Sequence, residues 1–195
     1  SGSRLMRTVV MTPYLMSNVV VALLFLWILD FRLGVANAFL EWVGVGAKPF
    51  LSSQGWAIPS IAVINVWRHM GYTALLLFAG LQTIPKDVKE AALTDGCGEI
   101  QRFLRVTLPL LRPVLAVVLV ITVIGSFQIF DTVDVTTEGG PVNASRVIYV
   151  YIFDQAFARS NFGYASALSV ALFLILAVVT VIQMRLLSAN ESDLA

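Results

Sequence analysis

An all-α, polytopic membrane helical bundle is the fold class this sequence predicts, on three observations. Hydrophobic residues fill 58% of the 195 positions and charged residues 13%, at a mean hydropathy of +0.84, whereas an ordinary soluble domain is about 25% charged. Four apolar stretches are each long enough to cross a hydrocarbon core, which takes about 20 residues of helix. Lys and Arg residues gather on alternate connections between those stretches, the asymmetry that orients membrane helices. A net charge of +1 leaves no clustered basic surface for nucleic acid, so no such partner is expected. Cys97 is the single cysteine, which excludes a disulfide within these residues and argues against a cysteine metal site; no metal site is expected.

The first span is expected over 8–30, where VVVALLFLWIL begins at Val19. Arg4 and Arg7 precede it, but no small-residue cleavage site follows a short apolar core, so it does not read as a signal peptide. Outside the membrane, residues 32–56 contain VANAFLEWVGVG, which suits a short amphipathic helix on the external surface. The second span covers 57–82 and includes ALLLFAGL from Ala74. A polar connection, about 83–110, leads to the third span at 111–131, with VLAVVLVITVIG from Val114. Residues 138–146, EGGPVNASR, read as a turn, and the NAS at Asn143 is a weak glycosylation match. The fourth span covers 164–185, with ALFLILAVV from Ala171. Trp27, Trp42, Trp56 and Trp67 include interfacial anchors of the usual aromatic kind.

Orientation follows from the flanks. Arg4, Arg7, Lys86, Lys89, Arg102, Arg105, Arg112 and Arg185 lie on one side, against Arg32, Lys48, Arg146 and Arg159 spread over two longer connections. The richer side is the cytoplasm, which puts both ends of this chain and the 83–110 loop inside.

Within that loop Pro85 suits the first position of a helix, and Lys86 to Thr94 then form an amphipathic helix about 13 Å long at 1.5 Å per residue. Val88, Ala91 and Ala92 share a face, and the two alanines would let a partner approach the backbone closely. Gly96 suits a helix end in the left-handed conformation. A second helical segment from Glu99 carries Ile100, Phe103 and Leu104 as an apolar stripe, before Pro109 and Pro113 open the third span. The residues alone allow two readings: a hairpin lying on the membrane with its stripe buried against the chain's own helices, or a surface for a partner.

In residues 90–109, EAALTDGCGEIQRFLRVTLP, Glu90, Ala91 and Ala92 are followed by Gly96 after three residues, and nine further residues separate Gly96 from Val106, Thr107, Leu108 and Pro109. This spacing resembles the signature loop of ABC importer permeases. FAGLQTIPKDVKEAA, TLPLLRP, SFQIFDTVDVTTEGGP and FGYASALSVALFLI extend the resemblance over nearly the whole chain, toward the carbohydrate group that includes the maltose and glycerol-3-phosphate permeases. The sequence departs from the group's pattern at Cys97, where alanine is common, at Val106 in place of isoleucine, and at Glu138 in a usual TGGG. The resemblance implies a transport domain over 1–195, the C-terminal part of a longer permease, with Glu90, Ala91, Ala92, Asp95, Gly96, Leu108 and Pro109 coupling it to an ATPase. It implies as partners a separate ATPase subunit, itself a homodimer that binds ATP and Mg, a second related permease, and an extracytoplasmic solute-binding protein, all at the plasma (inner) membrane with its lipid.

Polar residues inside the spans are candidates for a solute path. Arg68 and His69 lie about eleven residues into the second span, where a charge costs about 2.5 to 3.5 kcal/mol and so faces the protein interior or water. Asn65, Arg68 or Tyr72 then stands near the path, or the charge instead makes a buried structural hydrogen bond or an ion pair with a partner subunit. Ser126, Gln128 and Asp131 close the third span, and Ser166 and Ser169 share a face of the fourth; such groups suit a sugar and serve equally as glue between helices. The resemblance favours Ser126 and Gln128 over Asp131.

No GxxxxGK[ST] loop occurs, so the chain has no visible phosphate cradle and needs no cofactor of its own; ATP belongs to the partner. A membrane enzyme is disfavoured because His69 stands far from the serines of the last span, without an HExxH or paired acidic motif. The expected function is an importer permease for a sugar, from mono- to oligosaccharide. The alternatives are the same machine for glycerol-3-phosphate or a glycerophosphodiester, and an ion-coupled secondary transporter using Arg68 and Asp131, which leaves the loop unexplained.

Overall fold

A computed structural model describes residues 2–94 and 96–188, with side chains over 8–88, 90–94 and 96–186. The described residues form helices and connections, without a β-strand. In chain order the helices are α1 (Gly2–Leu15), α2 (Asn18–Ile28), α3 (Val35–Trp42), α4 (Ala57–Thr83), α5 (Lys86–Thr94), α6 (Glu99–Arg102), α7 (Leu108–Leu110), α8 (Arg112–Phe127), α9 (Asp131–Thr136), α10 (Ile148–Phe153) and α11 (Phe162–Ser188). Wider π-helical turns occupy Phe103–Thr107 and Asp154–Ala158.

Among the described residues two helices, Ala57–Thr83 and Phe162–Leu186, are long and apolar enough to cross a membrane singly, and the number is up to four if each of two bent pairs is one span. The expected first span over 8–30 is therefore not one helix: Thr8–Leu15 and Asn18–Ile28 meet at 101°. Pro13 lies in the last turn of α1 and has no N–H to continue the ladder, and Ser17 leaves helical geometry at φ −59° and ψ 142° before α2 restarts. The expected third span is similarly preceded by a 69° bend, between Glu99–Leu110 and Arg112–Phe127, beside Pro109 and Pro113. Its helix stops at Phe127, so Asp131 opens the separate helix α9 instead of ending the span.

Contacts divide the chain into two units. The first comprises residues 1–71 and 126–171. Its core is Ile61, Val133 and Val150, flanked by Ile129, Phe130 and Val147. Helix α2 packs on α9, where the Asn18 amide donates to the Asp131 carboxylate at 2.7 Å. Gly71 meets α1 so closely that a Cβ there would overlap the Val10 carbonyl, a small-residue contact of the kind that lets membrane helices approach.

Asn37, 2% exposed, organises the connection after α2. Its amide donates to the carbonyls of Lys48, Asp30 and Phe31, and its oxygen accepts the Lys48 N–H at 2.8 Å. The Asp30 carboxylate accepts the amides of Leu33 and Arg32, which hold its pKa below the ordinary value. The 138–146 turn is built on Ser145, which is fully buried, donates to the Gly140 carbonyl at 2.6 Å and lies 2.7 Å from the Thr137 hydroxyl. Glu138, Gly139, Val142 and Asn143 all take positive φ there. Arg146 pairs with Asp154 and stacks over Tyr151, 5.0 Å from the ring centroid.

The second unit comprises residues 72–125 and 172–195. Gly80 of α4 packs against Val114 and Leu111, and a Cβ would stand 2.8 Å from the Val114 side chain. This unit carries the polar connection.

Candidate functional site: the polar loop and the groups inside the spans

Helix α5 runs over the nine residues Lys86–Thr94. It closes through Gly96, whose φ of +77° is open to glycine without strain. The Gly96 N–H donates to the Leu93 carbonyl and the Cys97 N–H to the Ala92 carbonyl, each at 3.1 Å, which is the paired closure of a Schellman motif. A Cβ on Gly96 would touch nothing within 4 Å, so its glycine serves the backbone alone.

The helix divides its small residues between two surroundings. Ala92 is 7% exposed and packed into the chain, whereas Glu90, Ala91 and Leu93 are exposed. A partner on this surface meets Glu90 and Ala91, with Ala92 turned away from it. Asp95, also expected at this surface, lies outside the described residues.

After Glu99 the chain winds as α6, then widens. The Leu108 N–H donates to the Phe103 carbonyl five residues back. Pro109 explains the change, because its ring crowds the carbonyl four residues before it and it offers no N–H to that carbonyl. Leu108 and Pro109 are half-buried in the turn that follows. Ile100 is 78% exposed, and Phe103 and Leu104 are exposed beside it, so the stripe is not covered by the chain's own described helices. An open hollow of about 630 Å³ is lined by Gly98, Glu99, Ile100, Gln101, Leu104 and Arg105.

Arg68 reaches the break between α1 and α2: its Nη2 donates to the Met16 carbonyl at 3.2 Å and approaches the Tyr14 carbonyl at 3.5 Å. Its Nη1 lies 3.1 Å from His69 Nε2, and the guanidinium stands 5.6 Å from the Tyr14 ring centroid. Its Nε is buried without a hydrogen-bond partner among the described residues. The structural contact considered for Arg68 is thus present, and it lies within this chain.

Asn65 donates to the Ile61 carbonyl one turn back, and Ser169 to the Ala165 carbonyl, both at 2.9 Å, so these groups are engaged on their own helices. Tyr72 is half-buried and falls in the second unit. Ser126 ends α8 and is exposed, Gln128 is exposed just beyond it, and Ser166 is exposed on α11. The Asn18 to Asp131 bond and the carbonyls met by Arg68 were not anticipated. Pro13 followed by Ser17 and Asn18 inside an apolar run was the available signal for them.

A membrane transport component is the class of protein that a helical bundle with this exposed, glycine-closed loop defines. The family model for the binding-protein-dependent transport system inner membrane component matches residues 1–191, and the chain belongs to that family. It is 33% identical over 186 residues to the sulfoquinovosyl glycerol transport system permease protein SmoG of Agrobacterium fabrum, covering 95% of this chain and 60% of that protein. It is 35% identical to the sn-glycerol-3-phosphate permease protein UgpA of Yersinia pseudotuberculosis, covering 94% of this chain and 63% of that one. The trehalose/maltose permease protein MalF of Thermococcus litoralis is 33% identical, with 94% and 62% covered.

Among solved structures, a bacterial ABC transporter that imports the acidic polysaccharide alginate superposes with a TM-score of 0.86 at 25% identity, over 95% of this chain and 65% of the other. A second alginate transporter structure, in complex with an alginate pentasaccharide-bound periplasmic protein, gives 0.84 at 26% identity, over 92% and 63%. The chain spans somewhat under two thirds of the length of the relatives it matches.

Proposed function

We propose that this chain forms the main part of the permease subunit of an ATP-driven importer for a sugar or sugar-derived solute. The observation that carries the reading is α5: a short helix closed by Gly96, with Ala92 buried and Glu90 and Ala91 presented outward. In this reading an ATPase subunit, a homodimer holding ATP and Mg, receives Glu90, Ala91, Asp95 and Gly96 in a groove, with Leu108 and Pro109 at the root of the following span. ATP-driven closure of the dimer moves α5. The spans then open toward a loaded solute-binding protein, and hydrolysis returns them.

The fold favours transmission of such a push, because α5 is joined to α4 by two residues and to α8 through the proline-bent segment at 99–110. A second related permease completes the passage, both ends of this chain face the cytoplasm, and the solute meets Ser126, Gln128, Tyr72 and Ser166, with Asn65, Arg68 and Ser169 given over to backbone carbonyls. Glycerol-3-phosphate or a glycerophosphodiester is the second reading, favoured by the likeness to the glycerol-3-phosphate permease protein.

Purification of the full-length subunit from its native operon tests this reading. An ATPase, a second permease and solute-stimulated ATP hydrolysis are expected together; a lone protein that supports ion-driven uptake contradicts it. Binding of sugars and of glycerophosphodiesters to the cognate solute-binding protein then separates the two cargo classes.

A further inference from the structure

We infer that α3 is an interfacial helix whose outward face beds in the bilayer surface at the C-terminal end of α2. Val35, Ala38, Phe39 and Trp42 recur at helical spacing along one side of α3 and are all exposed, Trp42 at 82% and Phe39 at 60%. The rings of Phe39 and Trp42 stand 6.0 Å apart, so they form one aromatic ridge. No charged residue interrupts that stripe; Glu41 flanks it.

The opposite side of α3 is fixed. Asn37 is buried and bonded to both flanking segments, at Asp30 and Phe31 on one hand and Lys48 on the other. Rotation of the helix to hide its aromatic ridge would break those bonds. The position of α3 along the chain is fixed as well: six residues separate it from α2, the two helices pack together, and Gly34 lies so close to the Asp30 and Ile28 backbone that a Cβ would not fit.

Helix α3 therefore sits at the level where α2 leaves the apolar phase, and Leu23 and Trp27 of α2 expose apolar surface as well. Tryptophan and phenylalanine at this level suit the headgroup boundary, which accepts an apolar ring and a polar indole N–H together. Lipid is the occupant this combination selects. A solute-binding protein that docks and leaves would be met by an uncharged aromatic ridge exposed to water between cycles, a surface that soluble faces avoid.

The test uses the full-length subunit in its assembled complex, in vesicles of phosphatidylethanolamine and phosphatidylglycerol. In a background in which Cys97 and every other cysteine of the complex are replaced by serine, single nitroxides are placed at Phe39→Cys, Glu41→Cys and Trp42→Cys, and collisions with oxygen are compared with those of a water-soluble nickel chelate. The oxygen-to-nickel ratio is expected to be severalfold higher at 39 and 42 than at 41. Equal ratios at the three positions overturn the inference, as does low collision with both reagents at 39 and 42, which would mean a protein covers the ridge. A label-free measurement guards against disturbance by the nitroxides: brominated lipid should quench an emission component that Trp42→Phe removes, and an unchanged quenched component in that variant overturns the inference.

Discussion

The Arg68 guanidinium donates to the Met16 carbonyl at 3.2 Å, across a break that Pro13 and Ser17 introduce into an otherwise apolar run. Helix termini leave backbone carbonyls without partners, and inside a membrane no water replaces them. A charge within α4 is thereby given a purpose: it donates to the Met16 carbonyl at the 101° bend.

Arg68→Met should consequently destabilise the assembled transporter. Removing the donor from the Met16 carbonyl costs about 1 to 3 kcal/mol, and Arg68→Lys should recover only part of it, because an ammonium lacks the planar fork that addresses carbonyl, ring and His69 together. Thermal unfolding of the purified complex checks this. Equal melting temperatures for the Met variant and the parent would remove the structural role.

Glu138 occupies a left-handed backbone position, with φ of 51°. A side chain there costs roughly 1 to 2 kcal/mol, partly offset because glycine gives the unfolded chain more freedom, by about 0.4 to 1 kcal/mol. Glu138→Gly should therefore stabilise the protein by up to about 1 kcal/mol. A lower melting temperature would show that the Glu138 side chain contributes more than its strained backbone costs.

Gly96 offers a complementary case. Its Cβ would meet no neighbour, so Gly96→Ala carries only the left-handed backbone cost, roughly 1 to 2 kcal/mol, and acts where the Leu93 and Ala92 carbonyls are closed. The variant should fray the C-terminal end of α5 and lower solute-stimulated ATP hydrolysis severalfold while the subunit still inserts. Gly96→Pro should abolish the stimulation, because proline cannot adopt the positive φ or donate to Leu93. Stimulation retained in both variants would separate this helix end from coupling.

What could be read from residue order was the part governed by local chemistry. Helix α5 and its glycine closure follow from Pro85, the amphipathic spacing and Gly96, and α4 and α11 from their apolar length. The break after Leu15 was missed because hydropathy averages over Pro13 and Ser17, whose effect is geometric. The π turn at 103–107 was hidden likewise, since Pro109 acts on carbonyls before it in the chain. The polar candidates fared differently again. Asn65 and Ser169 turn to their own helices, Arg68 turns to a distant break, and residue type alone cannot distinguish a group that lines a path from one that satisfies the backbone.

Charge reversal at Glu90 tests the central claim most directly. Glu90 is exposed on α5 and makes no part of the packed face held by Ala92, so Glu90→Lys should leave the full-length subunit inserted and assembled with its second permease. In proteoliposomes with the loaded solute-binding protein, ATP hydrolysis should lose its stimulation and solute uptake should fall with it. Uptake and stimulated hydrolysis at the parent's rates would contradict the assignment of α5 as the element that couples this permease to an ATPase.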